Sequence, residues 1–473
     1  MSSTVRTPGR MDSVTWLLLY LTILYAIPSR LVVPALGSAG SPSMLVGLVS
    51  LGGWALYQVG RTTSQSHPRE VLPVRRALFG FVTCVAITYV VAMSRPIDFD
   101  EISPVNVAMA VTLSWSGTLL VAHDGISTME RARTLATALA WAGGLMAFLG
   151  LMQVVTSDPI INRISIPGLS AAEFQIFTRG ETIRPSGTAT HPIEYGVIMA
   201  MLLPFTLHAA FHTTHDRRLL QWIPTLMVGV TIALTFSRSA YVSAAVAAAV
   251  LVVGWPRQRR RLFLAGALAM AVVLFAAVPR LFGTIQSLFR NVGTDPSITS
   301  RTDSYEIAWA FITQSPAFGR GLGSFLPKYR IFDNQYLLLM VSIGLVGTAA
   351  FLLLALAGLW VALRVRLLAQ DEDTRDLGLS LLAAIAAGAT GMALFDSFAF
   401  PMTMGTYFLL LGMAGAVHRI VVLEPRRPDP SLVPLGSTVP HPFRVVRRAI
   451  GRRLRRRWAR QVRASRPGPP PGP

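Results

Sequence analysis

The chain has 473 residues, of which 52% are hydrophobic and only 14% charged, and its mean hydropathy is +0.51. A water-soluble globule of this size needs more polar surface than that, so lipid must cover the difference. The formal charge of +20 would point to nucleic acid in a soluble protein, but here arginine is confined to the gaps between apolar blocks and to the last stretch of the chain, which excludes that partner.

Apolar runs near 13–33, 36–57, 74–94, 104–122, 134–155, 193–211, 219–236, 238–255, 261–279, 334–363, 376–396 and 402–423 predict about twelve helices. Each is close to the ~20 residues that span a hydrocarbon core. The fold class is therefore all-α, a polytopic transmembrane helical bundle. The first run follows Arg6 and Arg10 as a secretory signal would, yet it is long, lacks a small-residue cleavage site and is followed at once by another run, so it reads as a retained helix. The tenth is too long for one straight span, and part of it is expected to tilt or leave the core. Cys84, the single cysteine, lies inside an apolar run, which leaves no internal disulfide or cysteine-cluster metal site.

Orientation follows from arginine. One set of connections holds Arg6 and Arg10, Arg61 to Arg76, Arg131 and Arg133, Arg217 and Arg218, Arg257 to Arg261, Arg364 to Arg375, and the Arg-rich end of the chain. The positive-inside bias makes that set cytoplasmic, with both termini on that side of a cell membrane. The opposite side carries the acidic Asp98-Phe99-Asp100-Glu101 turn and two long loops, 156–192 and 280–333, the second between spans nine and ten. Hairpin connections need no such length, so chemistry is expected there. Residues 1–423 form the transmembrane domain, and 424–473 a basic, Pro-rich tail. In that tail Val446, Ile450, Leu454, Trp458 and Val462 would form one apolar stripe on a helix lying on anionic lipid; a solvated tail fits the composition equally.

An arginine at mid-membrane costs roughly 2.5–3.5 kcal/mol on insertion scales, so arginines outside the cytoplasmic set need a reason. Arg184, Arg238 and Arg301 all fall on the outer side, and Arg238 sits in a connection of almost no length. Singly, each could snorkel, or pair as Arg301 might with Asp303. Together they suit a diphosphate, because the guanidinium fork matches phosphate oxygens. The stretch Ser315–Ser324 is glycine-rich but lacks a nucleotide-loop ending and predicts a tight re-entrant or surface turn. Beyond it Asp333 opens a span, where helix capping is the plain alternative to chemistry. His208, His212 and His215 have spacing that permits a metal, but no carboxylate or cysteine is placed closely enough to make the case, so no metal or cofactor is expected. Asp371-Glu372-Asp373 reads as a solvated helix connection.

Ser237-Arg238 opening a span, Arg301 before Trp309, the Pro316–Gly323 turn, Asp333-Asn334-Gln335-Tyr336-Leu337 and Gly344-Leu345-Val346-Gly347 together resemble the O-antigen ligase and polymerase family. Arg184 through Pro192 and Glu194 is similar to that family's earlier loop, and the resemblance runs from about 180 to 415. It implies a GT-C-type, inverting, metal-independent glycosyltransferase. The donor would be a glycan on a polyprenyl diphosphate and the acceptor a hydroxyl on a glycan or lipid, in envelope or exopolysaccharide assembly. On that reading Arg184, Arg238 and Arg301 bind the leaving diphosphate, while Asn334, Tyr336 and Ser237 position substrate. Ligases of the family carry His-Asn where this chain has Asp333-Asn334, which leaves the general base open among Asp333, His191 and Glu194. The 98–101 turn resembles the acidic pair of other GT-C enzymes but falls in the second outer loop. The alternative is a transporter or flippase of lipid-linked glycan, a class whose matching broken-helix halves are not evident in the sequence.

Overall fold

The structure, a computed structural model, describes residues 12–60, 72–157, 161, 164–171, 177–179, 182–212, 218–277, 283, 286 and 296–423. Among these residues lie thirteen α-helices: α1 Ser13–Ala26, α2 Pro42–Gly60, α3 Pro73–Ser94, α4 Phe99–Gly125, α5 Met129–Thr156, α6 Pro192–His212, α7 Arg218–Leu234, α8 Arg238–Gly254, α9 Arg257–Ala277, α10 Pro296–Gln314, α11 Gln335–Leu368, α12 Glu372–Met392 and α13 Pro401–His418. All but α10 coincide with the twelve expected spans. Eight described helices are long and apolar enough to cross a membrane, and α1, α8 and most of α7 are shorter apolar helices. The basic tail lies outside the described residues.

Several boundaries move for local reasons. Helix α1 stops at Ala26, two residues before Pro28, rather than running to 33. The chain then forms β1 Leu31–Val32, which pairs antiparallel with β2 Ser170–Ala171 from the first long loop. A second small pair, β3 Thr178–Arg179 with β4 Thr182–Ile183, lies in the same loop. The second long loop contains α10, so it is not all irregular. Helix α12 begins four residues earlier than expected because Asp371 caps it, accepting the Thr374 N–H at 2.9 Å; it ends at Met392, leaving Asp396 in the connection to α13.

Helices α6 and α13 are buried along nearly their whole length and form the centre. Helices α5, α7, α8 and α12 surround α6, while α4, α11 and α3 pack around α13. By contrast α9 buries no residue and presents an apolar surface suited to lipid. Polar bonds define the two ends of the bundle. At one end Arg131 pairs with Asp12, Arg75 with Asp124 at 3.2 Å, Arg133 with Asp371 at 3.0 Å, and Arg259 with Glu372 at 2.9 Å. These are the arginine-rich connections, and the 371–373 acids are engaged in ion pairs there rather than simply solvated.

The long tenth run resolves into two helices. At Gly344 the backbone of α11 leaves helical geometry, with φ 68° and ψ −175°, conformations that glycine alone adopts without strain. A break inside a membrane protein frees backbone groups that water cannot reach. The glycine-rich turn satisfies them: Gly321 N–H donates to Ser342 O at 2.7 Å, Arg320 N–H to Val341 O at 3.2 Å, Leu345 N–H to Pro316 O at 2.8 Å and Val346 N–H to Ala317 O at 3.2 Å. The turn is thus wedged into the break. A Cβ on Gly344 would stand 2.3 Å from Ala317 O, and one on Gly319 would stand 2.5 Å from Ser342 C.

Candidate functional site

At the end opposite the arginine-rich connections, the starts of α6, α8, α11 and α13 meet. Glu194 in the first turn of α6 is fully buried. Its Oε2 accepts the Thr190 N–H at 2.8 Å, and its Oε1 accepts Met402 and Thr403 N–H at 3.1 and 3.3 Å, which ties α6 to the first turn of α13. Gly196 lets α6 pack directly on Ala240 of α8. Gln335, also fully buried, accepts the Phe398 N–H at 2.8 Å and so joins the start of α11 to the segment entering α13. Its Nε2 finds no hydrogen-bond partner among the described residues.

The α7–α8 elbow is bonded by Arg184 and followed at once by Arg238, two of the sequence-predicted arginines. Phe236 adopts φ 47°, an uncommon conformation for a bulky residue, and this reverses the chain within three residues. Arg184 Nε donates to Thr235 O at 2.8 Å and Tyr241 Oη to Ala233 O at 2.7 Å, so carbonyls left over at the end of α7 are satisfied. Arg238 is the first residue of α8. Ser237 is buried with its hydroxyl 2.8 Å from that of Ser239. The backbone of Arg301 lies on α10, while its side chain and that of Asp303 lie outside the described residues.

His191 stands just before α6, its ring edge-on to Phe177 with centroids 4.4 Å apart. Burial, and then the nearby Arg184 guanidinium, push its pKa down to about 4. Nδ1 of this neutral ring accepts the Ile193 N–H at 3.1 Å, so the proton is on Nε2 and His191 is a donor on that face.

The capping that the sequence allowed to Asp333 is performed by Asn334, whose Oδ1 accepts Tyr336 and Leu337 N–H at 3.0 and 3.2 Å. Tyr336 Oη donates to Ala389 O at 2.7 Å, anchoring α11 to α12. Asp396, which sequence reading assigned to a span, lies close enough to Asp333 for the two charges to oppose each other. Burial first, then Asp333, raises its pKa to about 6. Sequence gave no sign of this carboxylate pair, because the partners are 63 positions apart and meet only when α12 returns beside α11.

The acidic 98–101 turn is accounted for by packing. Glu101 is fully buried and takes Arg95 at 2.7 Å, Arg320 at 3.1 Å and Tyr329 Oη at 2.7 Å, while Lys328 meets Asp100 at 2.6 Å. Arg320 also lies over the Phe311 and Tyr329 rings. The cluster fastens the start of α4 to the wedged turn and to α10.

Against known families, residues 223–352 match the family model described as O-Antigen ligase. The match contains Arg238, Arg301, the wedged turn, Asp333 and the Gly344 break; Arg184, His191 and Glu194 lie before it. No curated protein matches the chain. The resemblance read from the sequence is therefore borne out over that stretch, in a multi-pass helical protein, and it supports glycan transfer in envelope polysaccharide assembly.

Proposed function

We propose that the O-antigen ligase domain of this chain works with the loop before α6 to transfer glycan from a polyprenyl diphosphate to an acceptor hydroxyl at the extracytoplasmic face. The observation that carries this reading is the bond from Arg184 to the α7–α8 elbow, which puts the 184 loop beside Arg238 where several helices begin. Helix starts favour anions, and the bond from Arg184 Nε to Thr235 O fixes that guanidinium at the elbow. Arg184, Arg238 and Arg301 bind the diphosphate, and their charge-assisted bonds strengthen as negative charge develops on it. No metal is required for that step.

Displacement with inversion needs one base for the acceptor proton. Glu194 suits scaffolding better, since three backbone N–H groups occupy its oxygens. His191, protonated on Nε2, suits donation to substrate or leaving group. Asp333 is the base: it stands directly before α11, whose cap is Asn334, and faces Asp396, so that a carboxylate pair sits at this helix start. Asn334 and Tyr336 hold that segment, and Ser237 shapes the elbow. Both termini and the arginine-rich end face the cytoplasm, following the positive-inside bias.

Mass analysis of lipid-linked and surface glycans with and without the gene tests the reading. Accumulation of single lipid-linked repeat units identifies polymerisation, and accumulation of long lipid-linked chains identifies ligation. A flippase is indicated if the purified protein moves lipid-linked sugar across vesicles and leaves glycan length unchanged.

A further inference from the structure

At the arginine-rich end, far in the fold from the helix starts just described, α12 brings a carboxylate to the histidine cluster. His208 and His212, one turn apart on α6, meet Asp376. His208 Nδ1 is 3.3 Å and His212 Nε2 3.1 Å from the same oxygen, Asp376 Oδ2. Zinc bonds of about 2.0–2.1 Å at tetrahedral angles set neighbouring ligand atoms about 3.3 Å apart. His208 and Asp376 are buried and His212 nearly so. His215 lies outside the described residues.

The surroundings are those of oriented ligands. Asp373 Oδ1 lies 3.4 Å from the other nitrogen of each ring, His208 Nε2 and His212 Nδ1. Trp255 Nε1 donates to Asp376 Oδ1 at 2.8 Å and so turns Oδ2 toward the histidines. A neutral imidazole has one N–H. As the site stands, both ring nitrogens facing Asp376 Oδ2 are within hydrogen-bond distance of it; a cation between them would replace those two contacts, with the N–H of each ring then turned to Asp373. Asp376 and Trp255 also line a cavity of about 350 Å³, with Arg259, Arg366, Arg375 and Glu372 on its wall. Of the arginines on its wall, Arg366 is bound to Gly254 O and Arg375 Nε to Ala369 O at 2.7 Å. Arg259 is the competitor: its Nη1 is 3.5 Å from Asp376 Oδ2 and 3.4 Å from His212 Nε2, on the side a fourth ligand would take, and its Nη2 is already 2.9 Å from Glu372.

We propose that His208, His212 and Asp376 bind a zinc-class divalent cation that clamps α6 to α12, with Asp373 orienting both rings and Arg259 swinging onto Glu372 as the ion enters. Two imidazoles and one carboxylate select zinc over magnesium or calcium. The clamp holds the central helix at the end away from glycan transfer, so it stands or falls independently of that reaction.

The full chain, purified in detergent with a tag free of histidine and freed of loose metal, tests this by elemental analysis and thermal unfolding. The site predicts close to one zinc per chain, a lower Tm after o-phenanthroline, and recovery with zinc but not magnesium. His212→Gln should abolish the zinc-dependent shift. If that variant does not fold, Asp373→Asn serves instead and should weaken zinc binding about 10- to 100-fold. Arg259→Gln should bind zinc at least as tightly as the wild type. Absence of zinc together with no zinc-induced rise in Tm overturns the proposal, as does loss of zinc binding in Arg259→Gln, which would make the cluster an ion-pair network held by that guanidinium.

Discussion

Replacing Gly344 by alanine tests whether the wedge between the glycine-rich turn and the broken helix organises the end opposite the arginine-rich connections. At φ 68° and ψ −175° an alanine carries strain of roughly 1–3 kcal/mol before any contact is considered. Its Cβ would also lie 2.3 Å from Ala317 O and 2.5 Å from Phe318 N, backbone atoms with no side-chain torsion to relieve them. The turn must withdraw, and four backbone hydrogen bonds across the break are at risk. Losing two of them in a buried setting adds on the order of 2–6 kcal/mol. Even at the lower limits the sum is about 3 kcal/mol, which for a chain of this size is a fall in Tm on the order of 5 °C. The turn carries Arg320 and leads to Asp333, so glycan transfer should fall as well. Gly266→Ala is the control, because a Cβ on that α9 glycine meets nothing within 4 Å; it should be neutral or slightly stabilising. Thermal unfolding in detergent gives the readout, and a Gly344→Ala protein as stable and active as Gly266→Ala would refute the reasoning.

Other variants probe separate parts of the account. Glu101→Gln leaves Arg95 and Arg320 without their buried acid and should cost roughly 3–5 kcal/mol, read as a Tm loss that Asp100→Asn, at an exposed position, does not share. Glu194→Gln turns an amide NH2 toward either Thr190 N–H or the Met402 and Thr403 N–H pair. It should cost about 1–3 kcal/mol while leaving the shape of the activity pH profile unchanged. Because the fold raises Asp396 to about 6, it favours the protonated acid: that contribution is present below the unfolded value near 3.8 and lost as pH rises through 6. Asp396→Asn should therefore raise Tm at pH 8 more than at pH 4. His191, held near 4, is neutral at every pH above 6, so no acid limb near 6.5 should trace to it; a limb at 6.5 that His191→Asn abolishes would contradict its assigned tautomer and role.

The bundle itself was legible because apolar runs of spanning length and the arginine bias are properties of contiguous sequence. Eleven of the expected spans needed only boundary shifts, while the long tenth, expected to tilt or leave the core, is instead interrupted at Gly344. What the sequence concealed arises where distant segments pair. Nothing local to Asp396 or Gln335 marks them, since their significance comes from the meeting of α11, α12 and α13. Asp333 and Asn334 are adjacent and both competent to cap, and only backbone geometry separates them. Glu101 lies in a turn whose acidic composition resembles a catalytic pair, yet its partners Arg95 and Arg320 enclose it from both sides. In the same way, Asp376 meets His208 and His212 only because α12 packs beside α6.

The central proposal is that Arg184, bonded to the α7–α8 elbow, and Arg238, at the start of α8, hold a departing lipid diphosphate. It is met most directly by single-turnover transfer from a polyprenyl-diphosphate glycan in proteoliposomes, comparing wild type with Arg184→Ala and Arg238→Ala. Each variant removes charge-assisted bonds of roughly 1.5–3 kcal/mol, so each should insert normally and transfer about 10- to 150-fold more slowly. Transfer at the wild-type rate by correctly inserted Arg184→Ala and Arg238→Ala proteins would contradict the account.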